Sequence, residues 1–165
     1  MNDEKQPQIL FAGMADIVVG QASAVIKTNL GSCVAVCLYD AGKKAGGLLH
    51  CMLPKYQQFK NTSNSGKKEK YADTGIEELI KRLKTTFQTD EKNLVAKIFG
   101  GAKVLKLISK NIGDENVSSV KETLKKKNIR IVAAKTGGQK GYKIDFQLQT
   151  GTVICQVFGE KKEVF

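Results

Sequence analysis

The chain reads as an α/β protein: a single domain, residues 1–165, with mostly antiparallel β-sheet layers and about two helices packed on one side. Three observations lead there. Apolar stretches of strand length occur in pairs separated by turn signals, as in 33–39 (CVAVCLY) with 46–53 (GGLLHCML) and 142–150 with 152–158. One segment, 73–87, has clear helical periodicity. And 165 residues with 41% apolar content suffice for one ordinary core without staples.

In chain order, 8–19 (QILFAGMADIVV) predicts one or two short strands broken at Gly13. Residues 24–28 lead into Asn29-Leu30-Gly31-Ser32, which reads as a tight backbone turn. The two apolar stretches that follow are joined by Ala-Gly-Lys-Lys, a hairpin signal with Gly42 at its tip. Residues 55–70, rich in Lys, Asn and Ser, predict a long mobile loop. In 73–87, Ile76, Leu79, Ile80, Leu83 and Phe87 line one helical face, and Thr74 with Glu77 fits a capping box, Asp73 being a competing cap. Residues 94–99 form a strand into Gly100-Gly101, and 104–107 predict a short helical turn. A second helix covers 115–127 with Val117, Val120 and Leu124 facing the core, its terminal lysines favoured by the helix dipole. The remainder is strand-like, with Thr150-Gly151 as a second hairpin turn.

The N-terminus, MNDEKQPQ, lacks the basic and then apolar pattern of a secretory signal, and no apolar run has membrane-spanning length. A cytoplasmic protein without membrane insertion is the expectation, with its four cysteines (33, 37, 51 and 155) as free thiols. A zinc site at Cys33, Cys37, His50 and Cys51 fails on geometry. Four strand residues span about 13 Å, too far for one tetrahedral ion, and adjacent His50 and Cys51 point to opposite faces. The net charge of +11 comes almost wholly from lysines, and Arg82 and Arg130 are the only arginines. Without aromatic interleaving or a recognisable binding signature, this pattern reads as solvated lysine faces suited to an acidic protein partner, not to nucleic acid.

His50 is the only histidine, so a Cys–His enzyme built on this chain must use it. Hairpin register decides whether it meets Cys33. A two-residue turn sets His50 opposite Cys33; a four-residue turn sets it opposite Ala35, diagonal to Cys33 at about 7–8 Å between backbones. A three-residue turn would bring Cys51 there instead. Gly31 permits unusual backbone angles, so the N–H groups of Ser32 and Cys33 are oxyanion-hole candidates. Thr28 is a candidate to orient the imidazole, completing a triad. From spacing alone, a histidine near a cysteine is more often a packing residue than a catalyst, because free Cys is a common core residue.

The string 30–40 (LGSCVAVCLYD) resembles the signature of the CheD family. GGLLH at 46–50 with MLP at 52–54 is similar to that family's second motif. The likeness continues through KYADT at 70–74, KIFGGA at 97–102, NIG at 111–113 with Asn116, and TGG at 136–138. The resemblance implies hydrolytic deamidation of glutamines on methyl-accepting chemotaxis receptors, through their cytoplasmic helices, and a fold like that of toxin-type Cys–His deamidases. By residue, Cys33 matches the nucleophile and His50 the base. Many members carry the threonine six residues before the cysteine, where this chain has Lys27; Thr28 stands five before and requires a turn one residue shorter. Tyr142 stands where many members have arginine. The implied chemistry needs no cofactor and no metal. The resemblance also carries an alternative of another class, a regulatory module that binds a CheC-type phosphatase.

Overall fold

The computed structural model of the protein describes residues 6–62, 66–105 and 110–165. Its centre is a pair of strands buried on both faces, β4 (Val34–Asp40) and β5 (Ala45–Cys51). Continuous apolar sequence explains this: CVAVCLY and GGLLHC offer no polar face to solvent, so both sides must be covered. The hairpin pairs Asp40 with Ala45 and Ala35 with His50. This is the four-residue-turn register, with Lys44 at φ 47 closing the turn.

These strands lie in a five-stranded sheet of order β2-β5-β4-β6-β7, with β2 Asp16–Gln21, β6 Leu94–Gly100 and β7 Arg130–Thr136. A second sheet has the order β1-β3-β8-β9-β10, with β1 Gln8–Phe11, β3 Ala24–Leu30, β8 Tyr142–Gln147, β9 Thr152–Val157 and β10 Lys162–Val164. Among the described strands, only the β1–β3 and β6–β7 pairs are parallel. One apolar layer fills the space between the sheets, where Ala35, Cys37, Leu48 and Phe99 meet Ile26, Ile144, Phe146 and Cys155. A second layer lies on the far face of the β4–β5 sheet, where Val34, Val36 and Leu49 meet the two helices, α1 (Ala72–Phe87) and α2 (Ile112–Lys126). The layers therefore run sheet, sheet, helices. Ile76, Leu79, Ile80 and Leu83 of α1 and Val120 and Leu124 of α2 are buried as their spacing requires.

Several local expectations are corrected. The capping box at 74–77 does not form. Thr74 instead donates its hydroxyl to the Lys68 carbonyl at 2.7 Å, and Asp73 accepts from the Tyr56 N–H at 3.0 Å. The preceding segment folds back against the helix start and claims both groups. The described parts of 55–70 accordingly contain two short 3₁₀ turns, with Tyr56 and Phe59 packed on the buried Tyr71 ring. α2 begins three residues earlier than its apolar pattern suggests, because the Asn111 side chain accepts from the Asp114 N–H and caps it. Lys103, Val104 and Leu105 have no helical structure, and the rest of the expected turn at 104–107 lies outside the described residues.

Candidate active site

The expected turn at 29–32 is displaced. Asn29 and Leu30 complete β3, and the turn consists of Gly31, Ser32 and Cys33, with β4 starting at Val34. Gly31 does not occupy the left-handed region, and a Cβ there would meet only Val104 at ordinary contact distance. The glycines this turn depends on lie across from it. Gly100 has φ +101, and a Cβ on it would come within 2.4 Å of the Cys33 carbonyl. Gly101 has φ +70. Their unusual backbone brings the chain close enough for the Gly101 N–H to donate to Cys33 O at 2.8 Å and the Ala102 N–H to Gly31 O at 3.0 Å.

Strand alternation then aims the side chains. Ala35, opposite His50, faces the layer between the sheets. Cys33, two residues earlier, packs against the same layer, half-buried. Cys51 is on the other face, among the helices, with its thiol on the Val34 carbonyl at 3.4 Å. His50 and Cys51 therefore point apart, and only His50 shares the face of Cys33.

Thr28 reaches His50 from the second sheet. Its hydroxyl lies 2.8 Å from His50 Nδ1 and donates to the Ala12 carbonyl at 2.7 Å. A hydroxyl has one hydrogen, and a carbonyl can only accept. The Thr28 oxygen must therefore accept from Nδ1–H, which leaves Nε2 unprotonated in the neutral ring. Nε2 is buried and has no hydrogen-bond partner among the described residues. Lys27, at the position six before the cysteine, points to the outer face and pairs with Asp145 at 3.3 Å. Thr28 faces Ile144 in register, inside the core. The alternation of β3 thus selects Thr28 over position 27.

Burial sets the protonation states. It lowers the His50 pKa below the ordinary histidine value, outweighing the backbone of Ala12 and the nearby Asp16. It raises the Cys33 pKa, only partly offset by the cysteine's own N–H. Thiol and imidazole are thus both neutral near pH 7, on one face of the sheet, with no hydrogen bond between Nε2 and the thiol. Beside the turn, Ser32, Ala102, Val104, Leu105 and Ile112 line an open apolar cleft of about 210 Å³.

A protein that presents a half-buried cysteine, an oriented histidine on the same face and a threonine behind that histidine can be compared with known proteins. A family model described as CheD chemotactic sensory transduction matches residues 52–157. A relative from Methanococcus vannielii is 42% identical over 158 residues, covering 94% of this chain and 99% of the relative. The chain belongs to the CheD family. A CheD relative from Lachnoclostridium phytofermentans is 38% identical over 94% of this chain and 98% of its own length. One from Pyrococcus abyssi is 41% identical over 86% of each chain. All three carry the name "Probable chemoreceptor glutamine deamidase CheD". The family model begins after Cys33 and His50, so its match rests on the rest of the CheD domain; the relatives extend over most of the chain.

Sequence reasoning assigned no role to three groups here. The Ala12 carbonyl decides the direction of the Thr28 hydroxyl. Gly100 and Gly101 brace the turn. Asn116, at the buried face of α2, donates through Nδ2 to Ser32 O and to Met52 O, each at 3.0 Å. The glycine pair and Asn116 were visible only as parts of family motifs; nothing in the sequence around residue 12 marks its carbonyl.

Proposed function

We propose that this protein is a chemoreceptor glutamine deamidase in which Cys33 is the nucleophile, His50 the general base and acid, and Thr28 the residue that orients the imidazole. The observation that carries this reading is the 2.8 Å contact of His50 Nδ1 with a Thr28 hydroxyl already committed to the Ala12 carbonyl. Thr28 accepts from Nδ1–H, so Nε2 is an unprotonated base on the face that Cys33 shares.

His50 Nε2 takes the thiol proton as Sγ bonds to the carboxamide carbon of the glutamine. The oxyanion is held by the N–H groups of Ser32 and Cys33, which have no oxygen acceptor among the described residues. The tetrahedral intermediate collapses as the imidazolium gives its proton to the departing nitrogen. Ammonia leaves, and a thioester remains. Water attacks that thioester while Nε2 takes a proton from it. Breaking the C–S bond releases glutamate, and the proton returns to the sulfur. No metal or organic cofactor takes part. The neutral resting pair suits this order of events, since the thiolate forms only as the substrate engages and excludes water.

The apolar cleft beside Ser32 supports a substrate presented on the apolar edge of a receptor helix, and the net charge of +11 favours an acidic receptor surface. No described helix is long and apolar enough to cross a membrane, which fits an enzyme meeting the cytoplasmic part of a receptor from the cytoplasm. A role confined to binding a CheC-type phosphatase would need neither an oriented imidazole nor a half-buried thiol beside it. The test is a chemoreceptor cytoplasmic fragment incubated with the protein. A mass gain of about one dalton per modified glutamine, the amide-to-acid change of this hydrolysis, is the expected result. An unchanged mass on a fragment that binds the protein would sink the enzymatic reading.

A further inference from the structure

The β4–β5 ladder ends at the Val34–Cys51 pair, and the next two residues, Cys33 and Met52, separate instead of pairing. The Met52 N–H turns away to Lys70 O at 2.8 Å, and Cys33 O is taken by Gly101. This leaves two carbonyls, Ser32 O and Met52 O, on the two sides of the split with no backbone donor among the described residues. Asn116 fills the split. It is fully buried on α2 and places both hydrogens of Nδ2 on those two oxygens, at 3.0 Å each. Its own Oδ1 is left without a partner among the described residues. Only the donor half of the amide is matched, so what this position supplies is a pair of donors.

The consequence lies in the peptide plane. Ser32 C=O and Cys33 N–H belong to one planar trans unit and point in opposite directions. A bond that fixes the carbonyl therefore aims the N–H. The same holds one residue earlier, where the Ala102 N–H fixes Gly31 C=O and so aims the Ser32 N–H. Of the two donors in the oxyanion hole, one is thus aimed by a backbone bond and the other by a single side chain.

Resting on the acyl-transfer reading above, we infer that Asn116 is a positioning residue that aims the Cys33 N–H at the developing oxyanion. It touches neither substrate nor the reacting sulfur. Asn116→Ala frees the Ser32–Cys33 peptide to rotate, and Asn116→Asp keeps the volume while replacing both donors with acceptors. Each variant loses one oxyanion donor and keeps the thiol and its base.

The experiment measures kcat and KM on a chemoreceptor cytoplasmic fragment, together with the pH profile of Cys33 alkylation by iodoacetamide. Alkylation builds no oxyanion, so it isolates the thiol and His50 from the hole. Asn116→Ala and Asn116→Asp should lower kcat about 10²-fold, the usual cost of one lost oxyanion donor, with KM changed little. The alkylation profile of Cys33 should stay that of the wild type. Cys37→Ala, buried away from the turn, serves as a control for lowered stability and should keep its kcat per folded molecule. If Asn116→Ala does not fold, Asn116→Ser, which retains a polar group and a smaller loss of volume, carries the same comparison. A wild-type kcat in a folded Asn116 variant would overturn the positioning role, as would a kcat loss matched by an equal change in alkylation. Activity persisting in Cys33→Ala would instead remove the acyl-transfer reading, and this inference with it.

Discussion

Cys33 and Cys37 stand four residues apart beside the same layer between the sheets, yet their surroundings make them different reagents. Cys37 is 1% exposed, and burial drives its pKa far above the ordinary thiol value despite a neighbouring cation. That cation is Lys97, whose ammonium donates to Gly151 O at 2.8 Å and Phe165 O at 2.9 Å. Burial lowers the Lys97 pKa, and its nitrogen is committed as a donor to those two carbonyls rather than to the Cys37 thiol. Cys33 is half-buried, sits in a turn instead of a strand, and shares its face of the sheet with an imidazole whose Nδ1 meets the Thr28 hydroxyl. The same residue type becomes a packing group or a candidate nucleophile according to access and to the presence of a nearby proton acceptor.

The largest expected effect breaks this comparison at its active end. Cys33→Ala and His50→Ala should each reduce deamidation of a receptor fragment by about 10³-fold or more, with the fold retained, as checked by circular dichroism and by discontinuous kinetic assay. Cys37→Ser in a folded protein should retain most of its activity per molecule. Loss of activity in that variant would show that the chemistry has been assigned to the wrong end.

Thr28→Val removes the hydroxyl and keeps the shape, so His50 loses its tautomer control while remaining in place. We expect a loss of about 10-fold in kcat, smaller than for the base itself, because water can partly replace an orienting hydroxyl. An unchanged rate would separate Thr28 from the chemistry.

Next come protonation and stability. The folded His50 pKa lies below its unfolded value near 6.5. Between those two values the unfolded chain binds more protons than the folded one. Stability from this group is therefore fully present above the unfolded pKa, falls as pH drops through that window, and levels off below the folded pKa. The acid limb of kcat/KM should fall in the same window, below 6.5, because protonation removes the base. Chemical denaturation from pH 7.5 to 5 should show a stability loss that His50→Asn lacks. An identical slope in both proteins would contradict the assigned shift.

At the inert end, Lys97→Met leaves two carbonyls without their donor. It should cost about 1–3 kcal/mol of stability in urea unfolding, with activity per folded molecule kept. A loss of activity without a loss of stability there would mean that the two ends are coupled.

The sequence made the central hairpin legible because its continuous apolar strands and polar turn are local signals. It left two registers open with His50 on the right face, and the four-residue turn closed by Lys44 resolves them. The helical face of α1 was legible for the same reason. The division into two sheets was not, since β3 pairs with β8 across more than a hundred residues, and no local pattern encodes such a partner. Thr28 was legible as a candidate one residue from the family position, but its place beside His50 depends on the alternation of β3, which turns Lys27 outward to Asp145. The bracing of the turn was missed. It depends on the backbone of Gly100, Gly101 and Ala102 and on one asparagine from a helix, groups whose role exists only once distant segments meet.

The central claim is that Cys33 carries the acyl group. It is tested most directly by mixing enzyme with a chemoreceptor cytoplasmic fragment, quenching in acid within the first turnover, and mapping cysteine adducts by mass spectrometry. The expected result is the receptor fragment, less ammonia, on the peptide containing Cys33, with none on those containing Cys51 or Cys155 and none on Cys37 by fragmentation. An adduct on any other cysteine, or undiminished turnover in Cys33→Ala, would contradict it.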